Sequence, residues 1–281
     1  MPGAKFALFQ AIAFQKPMPI PKIISQTWKS EALPEDLKNL QLGWKKNNPS
    51  FDFRFYDDAS SRAVVAEVRS EQLDLYDAMP HPVMRADMFR YAVIFRDGGF
   101  YADMDMESLA PLPSDLLGPK CLLSQEAHLD NRQQRKLGYR DPVQIANCIF
   151  GAEPAHPFFA AALDRGFALF QQNPATKLND VEDVTGPRML TRLLDEIGSD
   201  QISISAQVIL MAPLHYPNIW PFNTHMVARH RTHGTWKGKS QRTGLLEKWI
   251  SRNRHAAIFP KTRLRRHGLS STSANNSLES N

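Results

Sequence analysis

The sequence predicts an α/β protein with a mainly parallel sheet flanked by helices. Three observations carry that expectation. Short apolar runs recur at Ile23–Ser25, Cys121–Ser124 and Cys148–Ala152, each of strand length. Longer stretches of helical periodicity lie between them, at Val83–Phe95, Pro157–Phe170 and Gly186–Ile197. The alternation of the two kinds is the signature of strands covered by helices. With 281 residues, 42% of them apolar and 22% charged, the chain can bury a large core, and disorder is excluded as its main state.

The elements follow in order. After the Pro-rich passage Lys16–Lys22, the run from Ile23 reads as a buried first strand opening at Gln26, Thr27 and Trp28 onto polar residues. Leu33-Pro34 followed by Glu35-Asp36 marks a helix start, with Leu37, Leu40 and Trp44 on one face and Asn47-Asn48-Pro49 as its stop. Phe51, Phe53 and Phe55 alternate with polar positions, a strand of period two. Val64–Val68 resumes helical spacing. In the helix Val83–Phe95, Met84, Met88, Ala92 and Phe95 form an apolar stripe. Asp97-Gly98-Gly99 breaks it, and the run from Phe100 to Asp105 is expected to continue as a strand. No internal repeat or linker stands out, so residues 19–240 are expected to form one domain, between an unassigned segment 1–18 and a basic segment 241–268. A polar tail, 269–281, is expected to be disordered.

Composition excludes several function classes. Two cysteines and no C-x-x-C pair rule out a disulfide framework and give no zinc or thiol-redox motif. A net charge of +5 is too small to argue nucleic-acid binding. Its distribution is uneven: from Val227 to Gly268 there are twelve Lys/Arg and one acid, Glu247, and the rest of the chain is net acidic. A solvated face is one reading of that segment, and contact with an anionic membrane surface is the other. No run approaches the roughly eighteen apolar residues of a spanning helix. Phe6–Phe14 reads as a frayed or surface-docked end rather than a signal peptide. The expected location is cytoplasmic, with the inner face of a membrane as a peripheral contact.

The chemistry concentrates at Asp103-Met104-Asp105. On a strand, residues i and i+2 face the same side, so the two carboxylates would converge on one volume. Two such anions call for a cation, and hard ions such as Mg²⁺ or Mn²⁺ accept carboxylates together with substrate phosphates. A bare D-x-D is weak, since about one arises by chance in a chain this long. Upstream, however, Asp87, Arg90, Tyr91 and Ile94 share one helix face, an arrangement that suits either a surface ion pair or the holding of sugar hydroxyls.

The stretch Arg85–Asp105 resembles the donor-binding region of DXD-motif glycosyltransferases of the Och1-like mannosyltransferase and capsular polysaccharide type. Arg85, Asp87, Arg90, Tyr91, Gly98, Gly99, Tyr101, Asp103 and Asp105 all match, without a gap. The segments from Pro19, from Asn147 and around Thr185-Gly186-Pro187 are also similar, as is Ala228–Trp236. Two departures are Ser25, where the family shows His, and Thr235 in place of Ser.

The resemblance implies a GT-A fold and a metal-dependent transfer of a hexose from a UDP- or GDP-linked donor to a glycan or glycolipid, with retention, in surface polysaccharide synthesis. Mn²⁺ or Mg²⁺ would be held by Asp103, Asp105 and His230, with His233 as the alternative to His230. Asp87 and Arg90 would orient the sugar. Gln26, Thr27 and Trp28 would border the nucleotide, Trp28 being equally readable as core. Tyr91, Asn147 and Gly186 would complete the donor site, and Glu126, Asp130 and Asn147 are the candidates for the acceptor side. Arg229, Arg231 and Lys237 offer a further contact for a diphosphate or an anionic acceptor. Two other functions use the same residues: a metal-dependent phosphoesterase, and a non-catalytic nucleotide-sugar-binding module.

Overall fold

The computed structural model describes residues 19–198, 200–212 and 225–231. The N-terminal segment 1–18, the basic segment beyond Arg231 with His233, Trp236 and Lys237, and the polar tail lie outside the described residues.

Strand β1 (Ile23–Thr27) leads into helix α1 (Glu35–Asn47), strand β2 (Asp52–Tyr56) and helix α2 (Asp58–Val68). Helix α3 (Leu73–Ala78) and the long helix α4 (Pro82–Asp97) precede strands β3 (Gly99–Ala102) and β4 (Met106–Ser108). There follow α5 (Ser114–Leu117), β5 (Cys121–His128), α6 (Asn131–Leu137), β6 (Val143–Ile145) and β7 (Ile149–Ala152). The rest is α7 (Pro157–Gln172), α8 (Val181–Val184), α9 (Pro187–Ile197), β8 (Ile202–Ser205), α10 (Gln207–Leu210) and β9 (Ala228–His230).

The expected α/β architecture is present. The main sheet has seven strands in the order β2-β1-β3-β7-β5-β6, with β8 also pairing β5. Strands β2, β1 and β3 are parallel to one another, β7 is antiparallel to both β3 and β5, and β8 is parallel to β5. Five of the seven strands therefore run one way, with β7 and β6 reversed. Strands β6 and β8, three and four residues long, were not foreseen, although β8 alternates Ile and Ser.

Both sheet faces are covered, which is why the central strands read as plain apolar runs. One core contains Met84, Met88, Tyr101 and Phe150 with the aromatic side of α7. The other gathers Ile24, Trp44, Phe100 and Leu116 under α1 and α5. Helix α4 is buried around most of its circumference, Asp87 and Arg90 included. Its exit fixes the geometry of everything downstream. Gly98 and Gly99 have φ of 67° and 85°, a region side chains rarely adopt, and a Cβ on Gly99 would lie 2.7 Å from the Ile23 Cβ. Only glycine lets α4 turn back so sharply into β3.

One expectation is corrected here. Asp103 and Asp105 do not lie on a strand. Strand β3 ends at Ala102, and the amide of Met106 donates to the Asp103 carbonyl at 3.0 Å, closing a tight turn over Asp103–Met106. Aspartate favours turns, and this one is anchored by the Asp103 amide on the Cys148 carbonyl at 2.9 Å. A turn, rather than the period of a strand, brings the two carboxylates together.

Candidate active site

The turn opens onto a cavity of about 500 Å³ at the ends of β1, β3 and β5. In open α/β sheets such crevices are where ligands bind. Its floor is a buried ionic cluster. The Arg90 guanidinium lies 3.3 Å from Asp87 and 3.3 Å from Asp103, donates to the Asn147 carbonyl at 2.7 Å, and sits 4.9 Å above the Tyr101 ring. Asp87 also accepts from the Asn147 side chain at 2.9 Å and from the Thr185 hydroxyl at 2.8 Å. Asp103 accepts from the Tyr101 hydroxyl at 2.7 Å. A buried charge is tolerated only when paired and hydrogen-bonded, and each member of this cluster is.

The electrostatics follow from that burial. Desolvation pushes the Asp87 carboxyl up to about 6, against the opposing pull of Arg90 and Thr185. Burial also raises Asp103, with the charge of Asp105 adding to it and Arg90 opposing. For Arg90, burial disfavours the charge, but the carboxylates of Asp103 and Asp87 outweigh it and raise its pKa. Tyr91 and Tyr101 are raised by burial and stay neutral phenols.

The second half of the site comes from far along the chain. Strand β9 pairs antiparallel with β4, setting Met106 opposite His230, while the Arg231 amide donates to the Asp105 carbonyl at 2.9 Å. The ribbon is held down by Trp44, whose indole donates to the Met106 carbonyl at 2.8 Å. His230 Nε2 thereby reaches 3.1 Å from Asp105 Oδ1. Burial lowers the basicity of His230, but the Asp105 carboxylate outweighs it and the pKa is raised. One ligand atom from each of Asp103, Asp105 and His230 lies within 4.8 Å of the others. Two carboxylates and an imidazole, partly open to a cavity, fit a divalent cation of the Mg²⁺ or Mn²⁺ kind.

Most of the expected site residues line this cavity: Thr27, Trp28, Asp87, Arg90, Asp103 and Asp105, and likewise Glu126, Asn147, Gly186 and His230. Three do not. Gln26 alternates with Thr27 along β1, so its side chain turns into the protein and is 2% exposed. Tyr91 points away, its hydroxyl donating to the Thr185 carbonyl at 2.6 Å, and so it supports from behind the residue whose hydroxyl holds Asp87. Asp130 caps α6 through the amides of Arg132 and Gln133, away from the main cavity. Its spacing to Gln133 is that of a capping box and was readable as such. Thr185 and the Tyr101 hydroxyl were not assigned roles from sequence, although both fall in matched motifs. Lys29, Asp36, Asp58 and Glu182 on the cavity wall gave no local signal at all.

Residues 34–126 match the family described as a glycosyltransferase sugar-binding region containing a DXD motif. Among curated proteins, inositol phosphoceramide mannosyltransferase 2 of Schizosaccharomyces pombe is 34% identical over 50% of this chain and 36% of its own length. Mannosyl phosphorylinositol ceramide synthase SUR1 of Saccharomyces cerevisiae is 27% identical over 72% of this chain and 48% of its own. Inositol phosphoceramide mannosyltransferase 1 of S. pombe is 24% identical over 85% and 68%. The chain thus spans half or less of the first two relatives. Among solved structures, the PaToxG glycosyltransferase overlays with a TM-score of 0.46 at 18% identity, covering 63% of this chain and 70% of that one.

Residues 34–126 thus match a DXD-motif glycosyltransferase sugar-binding region, and Asp103 and Asp105 of the site lie within it. The curated relatives it resembles are inositol phosphoceramide mannosyltransferases and a mannosyl phosphorylinositol ceramide synthase.

Proposed function

We propose that the chain transfers a hexose from a nucleoside-diphosphate sugar to a hydroxyl of a glycolipid or glycan, with retention of configuration. The observation that carries this is the Asp103–Asp105–His230 cluster at the mouth of a cavity whose floor is the Asp87–Arg90 pair. When bound, Mn²⁺ or Mg²⁺ supplies Lewis acidity toward the departing diphosphate. The remaining work falls to the chain's own groups. Asp103 and Asp105 hold the ion's position, the first fixed by Tyr101 and Arg90, the second by His230. Asp87 accepts from, and Arg90 donates to, the donor's ring hydroxyls, which is positioning rather than proton transfer. Thr27 and Trp28 border the nucleotide end of the cavity.

The names of the relatives support mannose as the transferred sugar and a phosphoinositol-bearing lipid as acceptor, ahead of a surface polysaccharide. A lipid acceptor agrees with the expected cytoplasmic, membrane-peripheral setting and its basic segment.

The test mixes purified chain with Mn²⁺ and a panel of UDP- and GDP-sugars, with inositol phosphoceramide micelles or methyl α-mannoside as acceptor. Glycosylated product and free nucleoside diphosphate are expected. Phosphate release from simple esters would instead indicate a phosphoesterase, and binding without turnover a sugar-nucleotide-binding module.

A further inference from the structure

Four acids line the cavity outside the ion cluster and the donor contacts, Asp36, Asp58, Glu126 and Glu182, and of these Glu126 is the one set in an irregularity of the main sheet. Glu126 lies in β5 where the pairing with β6 breaks register: Gln125 faces Ile145 and Ala127 faces Gln144, leaving Glu126 in an irregularity between them. Such a bulge re-aims the side chain of the extra residue and recurs beside active sites. Here Glu126 is directed to the cavity wall. Two glutamines fix it. Gln144, itself 1% exposed, donates to the Glu126 carboxylate, and Gln207 donates to the Glu126 carbonyl at 2.6 Å. The hydroxyl of Tyr139, 5% exposed, orients Gln144 in turn at 3.5 Å. Glu126 shares the cavity lining with His230 and Cys148.

Holding the carboxylate by one buried amide, and the residue's own carbonyl by a second, inside a strand irregularity costs pairing that an ordinary strand would keep. A carboxylate accepts hydrogen bonds only, so its natural ligand is a hydroxyl donor. We propose that Glu126 binds the nucleophilic hydroxyl of the acceptor, a polyol ring such as inositol or hexose, and aligns that oxygen with the donor's anomeric carbon. Gln144 acts as its positioning residue. This assignment rests on the transferase reading above and adds the acceptor contact to it.

The experiment measures, in the full chain with Mn²⁺, the ratio of sugar transfer to donor hydrolysis, together with nucleoside-diphosphate affinity. The acceptor probes are inositol phosphoceramide micelles and methyl α-mannoside. Glu126→Gln is expected to lower that ratio about 10- to 100-fold through loss of a charge-assisted hydrogen bond, and to raise the acceptor KM, with nucleotide affinity unchanged. Gln144→Ala keeps the carboxylate but frees it, so the ratio should fall about threefold to tenfold in the same direction. It serves as the readout if Glu126→Gln does not fold.

A ratio within twofold of wild type in both variants would overturn the proposal. So would parallel losses of transfer, hydrolysis and nucleotide affinity, the mark of a structural role. Hydrolysis without transfer to either probe by the wild-type chain would overturn it as well. A wild-type chain that consumes no nucleotide sugar would instead defeat the transferase reading, and this one with it.

Discussion

From Asp87 to Asp105 the cavity wall is one continuous run of chain: a buried helix, a two-glycine reversal, a short strand and a tight turn. The rest of the wall is assembled from distant pieces, with His230 meeting Asp105 across 125 residues and Gln144 meeting Glu126 through an irregular strand pair. In the first region the floor charges Asp87, Arg90 and Asp103 each have several partners drawn from this stretch and from Asn147 and Thr185. The second depends on three-residue strands whose pairing must form before the side chains meet. Charge is organised locally in one and by topology in the other.

The sharpest way to break that contrast is to remove the residue both regions share. Asp105→Ala should lower metal-dependent transfer more than about 10³-fold, roughly 4 kcal/mol of lost transition-state stabilisation, with circular dichroism unchanged. Activity near wild type would mean that the two halves do not join at a cation.

Next in size is the floor itself. Arg90→Met leaves Asp87 and Asp103 buried without their shared counter-charge, so urea unfolding should report a loss of about 3 kcal/mol. A loss below 1 kcal/mol would show that the continuous region is not held by its ion pairs.

Acidification should separate stability from activity. Asp87 is pushed up to about 6 by burial, so the folded chain binds more protons than the unfolded one between the ordinary carboxylate range and that value. Its effect on stability is therefore unfavourable above about 6 and fades as pH falls. His230 is raised as well, and the stability it adds is complete below the ordinary histidine value and lost as pH rises through its folded value. Both signs agree. Without added ion, Tm should rise by about 3 °C on going from neutral pH to about 5.5, while transfer falls as Asp87 and the metal ligands take up protons. Asp87→Asn should remove the lower part of that rise and leave the upper part; thermal melts across the range check it.

The smallest effect sharpens the comparison from outside. Asp130→Ala removes only the cap of α6, and should cost about 0.5 kcal/mol in melting experiments with turnover unchanged.

The same contrast decides what could be read in advance. Helix α4 and its Gly-Gly exit were legible because helical spacing and glycine punctuation are local signals, and the D-x-D pair falls in one segment with them. The face each residue takes was less so: Gln26 and Thr27 are neighbours, yet only Thr27 reaches the cavity, because alternate strand positions diverge. Strands β6 and β9, three residues each, are too short to show a period, and the Ile-Ser alternation of β8 spans only four residues; all three owe their existence to strands elsewhere in the chain. His230 was reached through family likeness alone. Nothing in its neighbours announces the pairing with β4 that delivers it, and of the acceptor-side candidates Glu126, Asp130 and Asn147 the sequence could not single out Glu126, whose register break shows only in the sheet pairing.

The β4–β9 ribbon has a thermodynamic corollary. Two strands of three residues are marginal on their own, and here they bring the last ligand to the first two. Whatever favours the gathered arrangement of Asp103, Asp105 and His230 must favour the zipped ribbon by the same amount. Deuterium uptake at the Arg231 amide, which rests on the Asp105 carbonyl, should accordingly slow as cation concentration rises, making that one proton a gauge of occupancy that needs neither sugar nor turnover.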